Sequence, residues 1–168
     1  MIYIYNDYGG THTTSLAAAY HLNKLPTDRT LTKDEILNVH LFNQLTSSDF
    51  GMLIFRGIDS DGNPVYTIGK KSEKYVVPAM QYLSSIFQEK YNINDKVIFS
   101  NTSPTVPLPM TLGGFFSRGL KIDSIGVPLL VMGAKQCCTK ILQLVENTKK
   151  VAKSTDALVT VLDNKEFQ

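Results

Sequence analysis

The residues best suited to chemistry lie close together near the amino terminus, in residues 6–14, which read Asn-Asp-Tyr-Gly-Gly-Thr-His-Thr-Thr and are called the first loop below. His12 can donate a charged hydrogen bond or act as an acid, a base or a nucleophile. Asp7 can orient His12, hold a metal ion or serve as a carboxylate nucleophile. Both are therefore candidate catalytic residues. Five further residues can bind a ligand through a hydroxyl group or through backbone that approaches closely: Gly9, Gly10, Thr11, Thr13 and Thr14.

The first loop connects a predicted strand to a predicted helix. Residues 1–5 are apolar or aromatic at every position, which is typical of a strand covered on both faces. Residues 15–22 are rich in alanine and leucine and favour a helix. Because a helix amino terminus presents unpaired N–H groups and about half a positive charge, this junction predicts a site for phosphate, sulfate or carboxylate. The alternative is that glycine and threonine serve only to turn the chain and cap the helix.

The first loop lacks the two best-known nucleotide-binding motifs. A Walker A motif needs a lysine, and no lysine occurs between Met1 and Asn23. The pattern Gly-x-Gly-x-x-Gly is also absent, so dinucleotide binding is not supported. The loop resembles the phosphate loops of the sugar phosphotransferase IIB proteins and the low-molecular-weight tyrosine phosphatases, which place a nucleophilic cysteine at the end of the first strand. Asp7 stands near that position here, which excludes thiol chemistry at this point.

The remaining sequence predicts further alternation of strands and helices. The predicted elements are a short helix capped by Thr32 and reaching about Leu41, a β-hairpin of strands 51–57 and 64–69, an amphipathic helix over 72–91, a strand at 96–100, a helix from near Pro107 towards Arg118, a strand at 126–133, a helix over 135–150 and a last strand at 157–162. These elements predict one α/β domain over residues 1–168, built as a three-layer α/β/α sandwich with a mostly parallel sheet and the β-hairpin at one edge. The ligand crevice is expected at the carboxyl ends of the strands.

Two basic residues are candidate anion ligands outside the first loop. Arg118 ends the predicted fourth helix, where it can bind an anion or cap the helix. Lys135 follows the predicted strand 126–133 on the side of the expected crevice, although a solvated lysine is the alternative.

Cys137 and Cys138 are adjacent, so they form neither a metal site nor an ordinary disulfide framework. They are buried apolar residues or thiols of lowered pKa, and they indicate a reducing, cytoplasmic setting.

The chain also resembles, over about residues 1–150, an uncharacterised family of small proteins from spore-forming Firmicutes. Four segments carry the resemblance: Tyr-Gly-Gly-Thr-His-Thr-Thr at residues 8–14, the alanine-rich helix ending at Leu25-Pro26, Gly-Gly-Phe-Phe-Ser-Arg at residues 113–118, and Val-Met-Gly at residues 131–133. The family pattern in the first loop is Tyr/Phe-Gly-Gly-x-His-Ser/Thr-Ser, often preceded by cysteine. The resemblance supports the first loop as a site and implies no particular reaction.

Composition excludes several classes of function. The chain has 168 residues, 43% of them hydrophobic, and a formal net charge of only +2, which argues against nucleic acid as the main partner. No apolar run reaches the length of a membrane span, and no signal peptide is evident. We therefore expect binding of a phosphorylated or other anionic small molecule, with phosphoryl transfer or phosphate-ester hydrolysis as the associated chemistry. The alternative is a non-catalytic regulatory or interaction module, in one form a homodimer. The sequence identifies no cofactor and leaves open whether the protein is an enzyme.

Overall fold

A computed structural model describes all 168 residues. Five strands form one sheet: β1 (Ile2–Asp7), β2 (Ile54–Ile58), β3 (Pro64–Gly69), β4 (Val97–Asn101) and β5 (Val159–Leu162). The helices are α1 (Thr13–His21), α2 (Lys33–Leu37), α3 (Val76–Tyr91), α4 (Leu108–Gly114) and α5 (Asp123–Ser154), and α4 continues into a π-helical turn, Phe115–Gly119. The strand order is β2-β3-β1-β4-β5. Only β2 runs antiparallel to its neighbour, so the sheet is mixed and mostly parallel, which confirms the predicted α/β class.

The apolar core consists of two clusters that meet opposite faces of the sheet. Tyr3 and Tyr5 of β1 belong to the larger cluster, which also holds the buried residues of α1 and α5. Ile4 belongs to a smaller cluster with Val77 of α3. Because successive side chains of a strand point to opposite faces, α1 and α5 cover one face and α3 covers the other. The smaller cluster has five buried residues against 24 in the larger, so α3 covers its face only in part.

The predicted strand at 126–133 is wrong, since these residues lie within the 32-residue helix α5. Gly126 and Gly133 are seven residues apart and therefore lie on the same side of a helix. A Cβ atom on Gly126 would lie 2.6 Å from Cβ of Ser117, and one on Gly133 would lie 2.7 Å from Cβ of Met110. The two glycines thus let α5 pack closely on α4 and its π-helical turn. A short apolar run does not distinguish a buried strand from a buried helix, which explains the error.

Several predicted helix boundaries follow from proline and capping chemistry. The Thr32 capping box is present, with Glu35 as its partner, although α2 ends at Leu37 and not near Leu41. Helix α3 begins at Val76, so Pro78 falls in its first turn, where its missing N–H group costs nothing. Pro109 lies in the first turn of α4 for the same reason.

Helix α5 is long and apolar enough to span a membrane by length and composition, with a mean hydropathy of 1.3 over its best 18-residue window. However, 44% of that window is buried inside the fold. Core helices of folded domains satisfy the same criterion, so this is weak support for a membrane span. The expectation that the protein has no membrane partner stays a prediction.

Candidate functional site

The first loop lies where neighbouring strands send the chain to opposite faces of the sheet. β1 and β3 are adjacent and parallel, and Asp7 at the end of β1 is paired in register with Gly69 at the end of β3. β1 leads into α1 on the face of the larger cluster, whereas β3 leads towards α3 on the other face. Ligands of open α/β sheets bind at such topological switch points. The first loop therefore occupies the expected position for a site.

Gly10 allows the first loop to pack against the backbone of β3. Its φ is +71°, in the left-handed region that favours glycine. A Cβ atom on Gly10 would lie 2.6 Å from the backbone nitrogen of Gly69, and a Cβ on Gly69 would lie 2.7 Å from the carbonyl of Gly9. The close approach that Gly10 permits is thus to β3. The expectation that Gly9 and Gly10 approach a ligand in the same way stays a prediction.

Asp7 is buried and organises the first loop from within. One carboxylate oxygen accepts the Gly10 N–H at 2.5 Å, and the other accepts the Thr13 hydroxyl at 2.7 Å. The Thr13 hydroxyl also lies 3.0 Å from that of Thr102, which follows β4. Since both oxygens are engaged by the loop, the geometry favours a structural role for Asp7. Its role as a nucleophile or acid–base group stays a prediction.

Arg56 of β2 is a buried cation that the sequence analysis missed. Its guanidinium donates to four uncharged oxygens: Thr67 Oγ1 at 2.8 Å, His40 O at 2.6 Å, Gly10 O at 3.2 Å and Ser15 Oγ at 3.0 Å. Burial lowers the pKa of Arg56 to about 10, and the charge of Asp7 opposes this shift. Gly10 is therefore held from two sides, its N–H by Asp7 and its carbonyl by Arg56. A lone arginine within an apolar strand was the available signal.

The amino terminus of α1 has no side-chain cap. The first helical hydrogen bond runs from the Leu16 N–H to the His12 carbonyl at 3.1 Å. The N–H groups of Thr13, Thr14 and Ser15 make no hydrogen bond within the protein, and the first turn contains no acidic residue. The Thr14 hydroxyl is fully buried and also lacks a partner. These groups are unused donors at the positive end of a helix.

Thr11 holds a neighbouring loop, residues 41–45, against the first loop. Its hydroxyl donates to the Leu41 carbonyl at 2.8 Å and accepts the Gln44 N–H at 3.2 Å. Its carbonyl accepts the Asn43 N–H at 3.1 Å. The Thr11 hydroxyl is thus used within the protein, and its effect is to place Asn43 beside His12. A direct contact between Thr11 and a ligand stays a prediction.

His12 is half-buried between three neighbours. Its Nε2 lies 3.1 Å from Oδ1 of Asn43, and its ring packs edge-on against Phe42 with the centroids 5.5 Å apart. A Cβ atom on Gly114 would lie 3.2 Å from Cε1 of His12. Burial lowers the pKa of His12, and the positive charge of Arg118 adds to this effect, while Asn43 and Asp7 oppose it. The neutral imidazole is therefore favoured at neutral pH.

The structure separates the two basic residues that the sequence singled out. Arg118 is exposed, lies in the π-helical turn and acts on His12 through its charge. Lys135 is an exposed residue within α5, so its predicted place at a strand end is wrong. Its charge is not among those that shift the pKa of His12.

Two other lysines adjoin the first loop, because the N–H groups of Lys70 and Lys71 donate to the carbonyls of Asp7 and Tyr8 at 3.0 and 2.9 Å. The sequence Gly-Lys-Lys directly after β3 was the signal for them.

A cavity lies along the flank of α1 and not over His12. It has a volume of about 400 Å³ between α1, α2 and β2, and Ser15, His40 and Arg56 are among the residues that line it. His12, Thr13 and Thr14 are absent from its lining. Of the three residues with unused N–H groups, only Ser15 therefore lines this cavity.

The two cysteines are buried within α5 and are not disulfide-bonded. Burial raises the pKa of the Cys137 thiol to about 12. Cys137 is therefore not a thiol of lowered pKa, and its predicted alternative, a small buried apolar residue, is confirmed.

The fold and the first loop define an α/β protein whose candidate site is an uncapped helix amino terminus at a topological switch point. The chain belongs to the family described as "Protein of unknown function (DUF3189)", whose model matches residues 2–150. The expected membership in an uncharacterised family covering nearly the whole chain is thereby confirmed. Searches of curated proteins and of solved structures each returned no match.

Proposed function

We propose that the protein binds a phosphorylated or other anionic small molecule at the amino terminus of α1. The observation that carries the proposal is the set of three N–H groups, those of Thr13, Thr14 and Ser15, which have no hydrogen-bond partner within the protein. Most helices satisfy such groups with a side-chain cap, and α1 has none. A bound oxyanion supplies the missing acceptors and the compensating negative charge.

The charges around the loop support an anionic ligand despite the carboxylate of Asp7. That carboxylate repels an anion, but the buried guanidinium of Arg56 lies directly behind Gly10 and offsets it. Arg118, Lys70 and Lys71 add positive charge at the rim. Four basic residues thus lie in or beside the first loop, against the carboxylate of Asp7 and the more distant one of Asp123, which favours an anion at this edge of the sheet.

The reaction that this arrangement fits is phosphoryl transfer or phosphate-ester hydrolysis. The backbone N–H groups of α1 stabilise charge that develops on a phosphoryl oxygen, and His12 is the acid–base group. Asp7 is the alternative reactive group, provided that it exchanges one of its loop hydrogen bonds for the substrate. The proposal includes the three-layer α/β/α arrangement with a β2–β3 hairpin at one edge, supported by the two core clusters and by the antiparallel pairing of β2 with β3. It also includes a cytoplasmic setting, which the two unpaired cysteines support.

Isothermal titration calorimetry with inorganic phosphate, sulfate, nucleotides and sugar phosphates tests the proposal. Thr14→Val removes the unpartnered hydroxyl at constant shape and is expected to weaken binding roughly two- to tenfold. Arg118→Gln removes an exposed charge and is expected to weaken it about two- to fivefold. Gly10→Val is unsuitable because its side chain would meet the backbone of Gly69 and disturb the loop itself.

Lys135→Gln is the matched control for Arg118→Gln, because each removes one exposed positive charge and only the charge of Arg118 acts on His12. Binding is expected to be unchanged in Lys135→Gln. Equal losses in the two variants would show only a general charge effect. Absence of binding to every anion tested would refute the proposal.

A second candidate function, a homodimeric interaction module, is favoured by the outer surface of α3. Tyr82, Leu83, Ile86, Phe87 and Tyr91 are all large and all at least 46% exposed. No charged residue occurs from residue 75 through residue 88. Contiguous exposed apolar surface of this kind marks an interaction site more often than free surface.

Light scattering over a range of concentrations tests this second candidate. A dimer through α3 is expected to dissociate in Ile86→Glu, which introduces a charge at the centre of the apolar surface. Ser85→Glu introduces the same charge at an adjacent exposed position and is the control. A wild-type protein that is monomeric at all concentrations would exclude the homodimer.

A further inference from the structure

A series of hydrogen bonds runs from His12 across three other elements of the fold. His12 Nε2 lies 3.1 Å from Asn43 Oδ1, and Asn43 Nδ2 lies 2.8 Å from Ser117 Oγ. The Ser117 hydroxyl in turn donates to Oδ1 of Asp123, the first residue of α5. These four residues, His12, Asn43, Ser117 and Asp123, are called the His12 relay below. They come from the first loop, the loop at 41–45, the π-helical turn and α5.

The carboxylate at its end fixes the direction of the His12 relay. A carboxylate only accepts hydrogen bonds, so the Ser117 hydroxyl must donate to Asp123. The Ser117 oxygen therefore accepts from the amide N–H of Asn43, which turns the amide oxygen of Asn43 towards His12. That oxygen accepts from an N–H on Nε2. A neutral imidazole carries a single N–H, so Nδ1 of His12 holds a lone pair.

Unusual backbone conformations hold two members of the relay in place. Asn43 has a φ of +55° and lies two residues after Leu41, whose φ is +61°. A left-handed aliphatic residue is rare and strained, and Thr11 stabilises it with hydrogen bonds to this loop. Ser117 lies in the π-helical turn, a conformation that is itself rare and frequent at functional sites. Asn43 and Ser117 thus both lie in uncommon backbone conformations.

The other ring nitrogen of His12 is left accessible. Nδ1 makes no hydrogen bond within the protein, and it is not among the buried side-chain atoms that lack a partner. Gly114 leaves space beside it, since a Cβ there would lie 3.7 Å from Nδ1. His12 is also the residue directly before α1, whose N–H groups are unused. An oxyanion on those N–H groups would therefore meet a hydrogen-bond acceptor at His12.

We infer that Asn43, Ser117 and Asp123 are positioning residues that hold His12 with its proton on Nε2, so that Nδ1 selects an oxyanion carrying an O–H donor. This inference rests on the proposed function and narrows its ligand class. Inorganic phosphate keeps at least one proton at neutral pH and can donate to Nδ1, whereas sulfate has none. A site with this acceptor discriminates against sulfate because the lone pairs of sulfate and Nδ1 face one another.

The first measurement is the tautomer of His12 in the ligand-free protein, obtained from nitrogen-15 NMR of the imidazole rings. We expect a protonated Nε2 and a bare Nδ1 in the wild type, and a mixture of tautomers in Ser117→Ala. Ser124→Ala is the matched control, because Ser124 follows Asp123 in the chain, is exposed and makes no hydrogen bond through its side chain. A proton on Nδ1 in the wild type, or no effect of Ser117→Ala, would overturn the relay.

The second measurement compares the affinities for inorganic phosphate and sulfate at pH 7. We expect phosphate to bind at least about tenfold more tightly than sulfate, as one unpaired acceptor implies. Asn43→Asp places a carboxylate beside Nε2, which favours the protonated imidazole and converts Nδ1 into a donor. The preference for phosphate is then expected to fall to within about threefold.

The outcomes separate the inference from the proposed function. Equal binding of phosphate and sulfate by the wild type would overturn the ligand class while leaving anion binding at α1 intact. Binding of neither anion would overturn both the ligand class and the proposed function. The tautomer measurement needs no ligand and decides the relay in either case.

Discussion

Replacing Gly10 by alanine tests whether the first loop is built around its contact with β3. The substitution requires alanine to adopt a φ of +71° and brings its Cβ to within 2.6 Å of the Gly69 nitrogen. The left-handed conformation costs about 1–2 kcal/mol. The overlap is with backbone, which cannot rotate away, and overpacking of this kind costs roughly 1–3 kcal/mol. We expect Gly10→Ala to lower the free energy of unfolding by about 2–5 kcal/mol.

Two other glycines separate these contributions. Gly62 has a φ of +82° with nothing within 4 Å of its Cβ position, so Gly62→Ala is expected to show only the conformational cost, about 1–2 kcal/mol. Gly69 has no positive φ, but its Cβ would lie 2.7 Å from the carbonyl carbon and oxygen of Gly9, so Gly69→Ala is expected to show only the overlap, roughly 1–3 kcal/mol.

Urea denaturation followed by circular dichroism gives all three free energies under the same conditions. The loss in Gly10→Ala should approach the sum of the losses in the other two variants. If Gly10→Ala is no more destabilised than Gly62→Ala, the close contact with β3 is not a feature of the folded protein, and the assignment of Gly10 to loop packing is refuted.

Three further predictions concern other parts of the fold. Burial, assisted by the charge of Lys149, lowers the pKa of His21 to about 4, below its unfolded value of 6.5. Because the unfolded chain then binds more protons between these pH values, the free energy of unfolding should fall by on the order of 3 kcal/mol as the pH drops from 6.5 to 4. This pH dependence should be largely lost in His21→Gln. Gly126→Ala should lower the free energy of unfolding in urea by about 1–3 kcal/mol, because its Cβ would meet the π-helical turn. Gly119→Ala is the control, since the nearest neighbour of its Cβ is 3.5 Å away and no steric overlap is expected. Equal losses in the two variants would contradict the tight α4–α5 contact. The Cys137 thiol, with its pKa raised to about 12, should resist a thiol reagent at pH 8 in the native protein and react after unfolding in urea, while rapid native labelling of Cys137 would argue against its burial.

The parts of the fold that the sequence predicts correctly are those set by local chemistry. Strand β1, the first loop and α1 follow from residues that are adjacent in the chain, and the helix starts follow from Thr32 and from prolines in first turns. The error at residues 126–133 has a non-local cause. Gly126 and Gly133 look like the ends of a strand, and only the presence of α4 against that surface shows why a helix needs them.

The candidate site also combines features that adjacent residues determine with features that only the packed fold determines. The position of the first loop at a strand–helix junction is evident from sequence, because it depends on adjacent elements. Arg56 is 46 residues from its hydrogen-bond partner Gly10 in the sequence. Ser117 is 74 residues from its partner Asn43. No local sequence pattern connects either pair. Asn43 reaches His12 only through a left-handed turn that Thr11 stabilises. Relations of this kind depend on the packed fold and not on spacing along the chain.

The structure also changes what the composition of the first loop means. Its side chains indicated a set of ligand contacts, yet Asp7, Thr11 and Thr13 use their polar groups to hold the loop and its neighbours. What remains unbonded is backbone, in the first turn of α1, together with the Thr14 hydroxyl and one nitrogen of His12. The side chains therefore form the hydrogen-bonded frame of the loop, and the proposed anion contacts come mainly from backbone N–H groups.

Substitutions in the first loop can lower anion binding either by disturbing the loop or by removing a ligand contact. A binding assay alone does not distinguish these two effects. Asp7→Asn and Thr13→Val break bonds inside the frame, so any loss of anion binding should accompany a loss of stability of about 1–3 kcal/mol. Thr14→Val removes a hydroxyl that bonds to nothing in the free protein, so it should weaken binding with stability unchanged or slightly increased. Measuring stability and affinity together on these three variants therefore distinguishes frame from contact. If Thr14→Val were the most destabilised of the three, the hydroxyl would belong to the frame, and anion binding at α1 would lose one of its two unused side-chain groups.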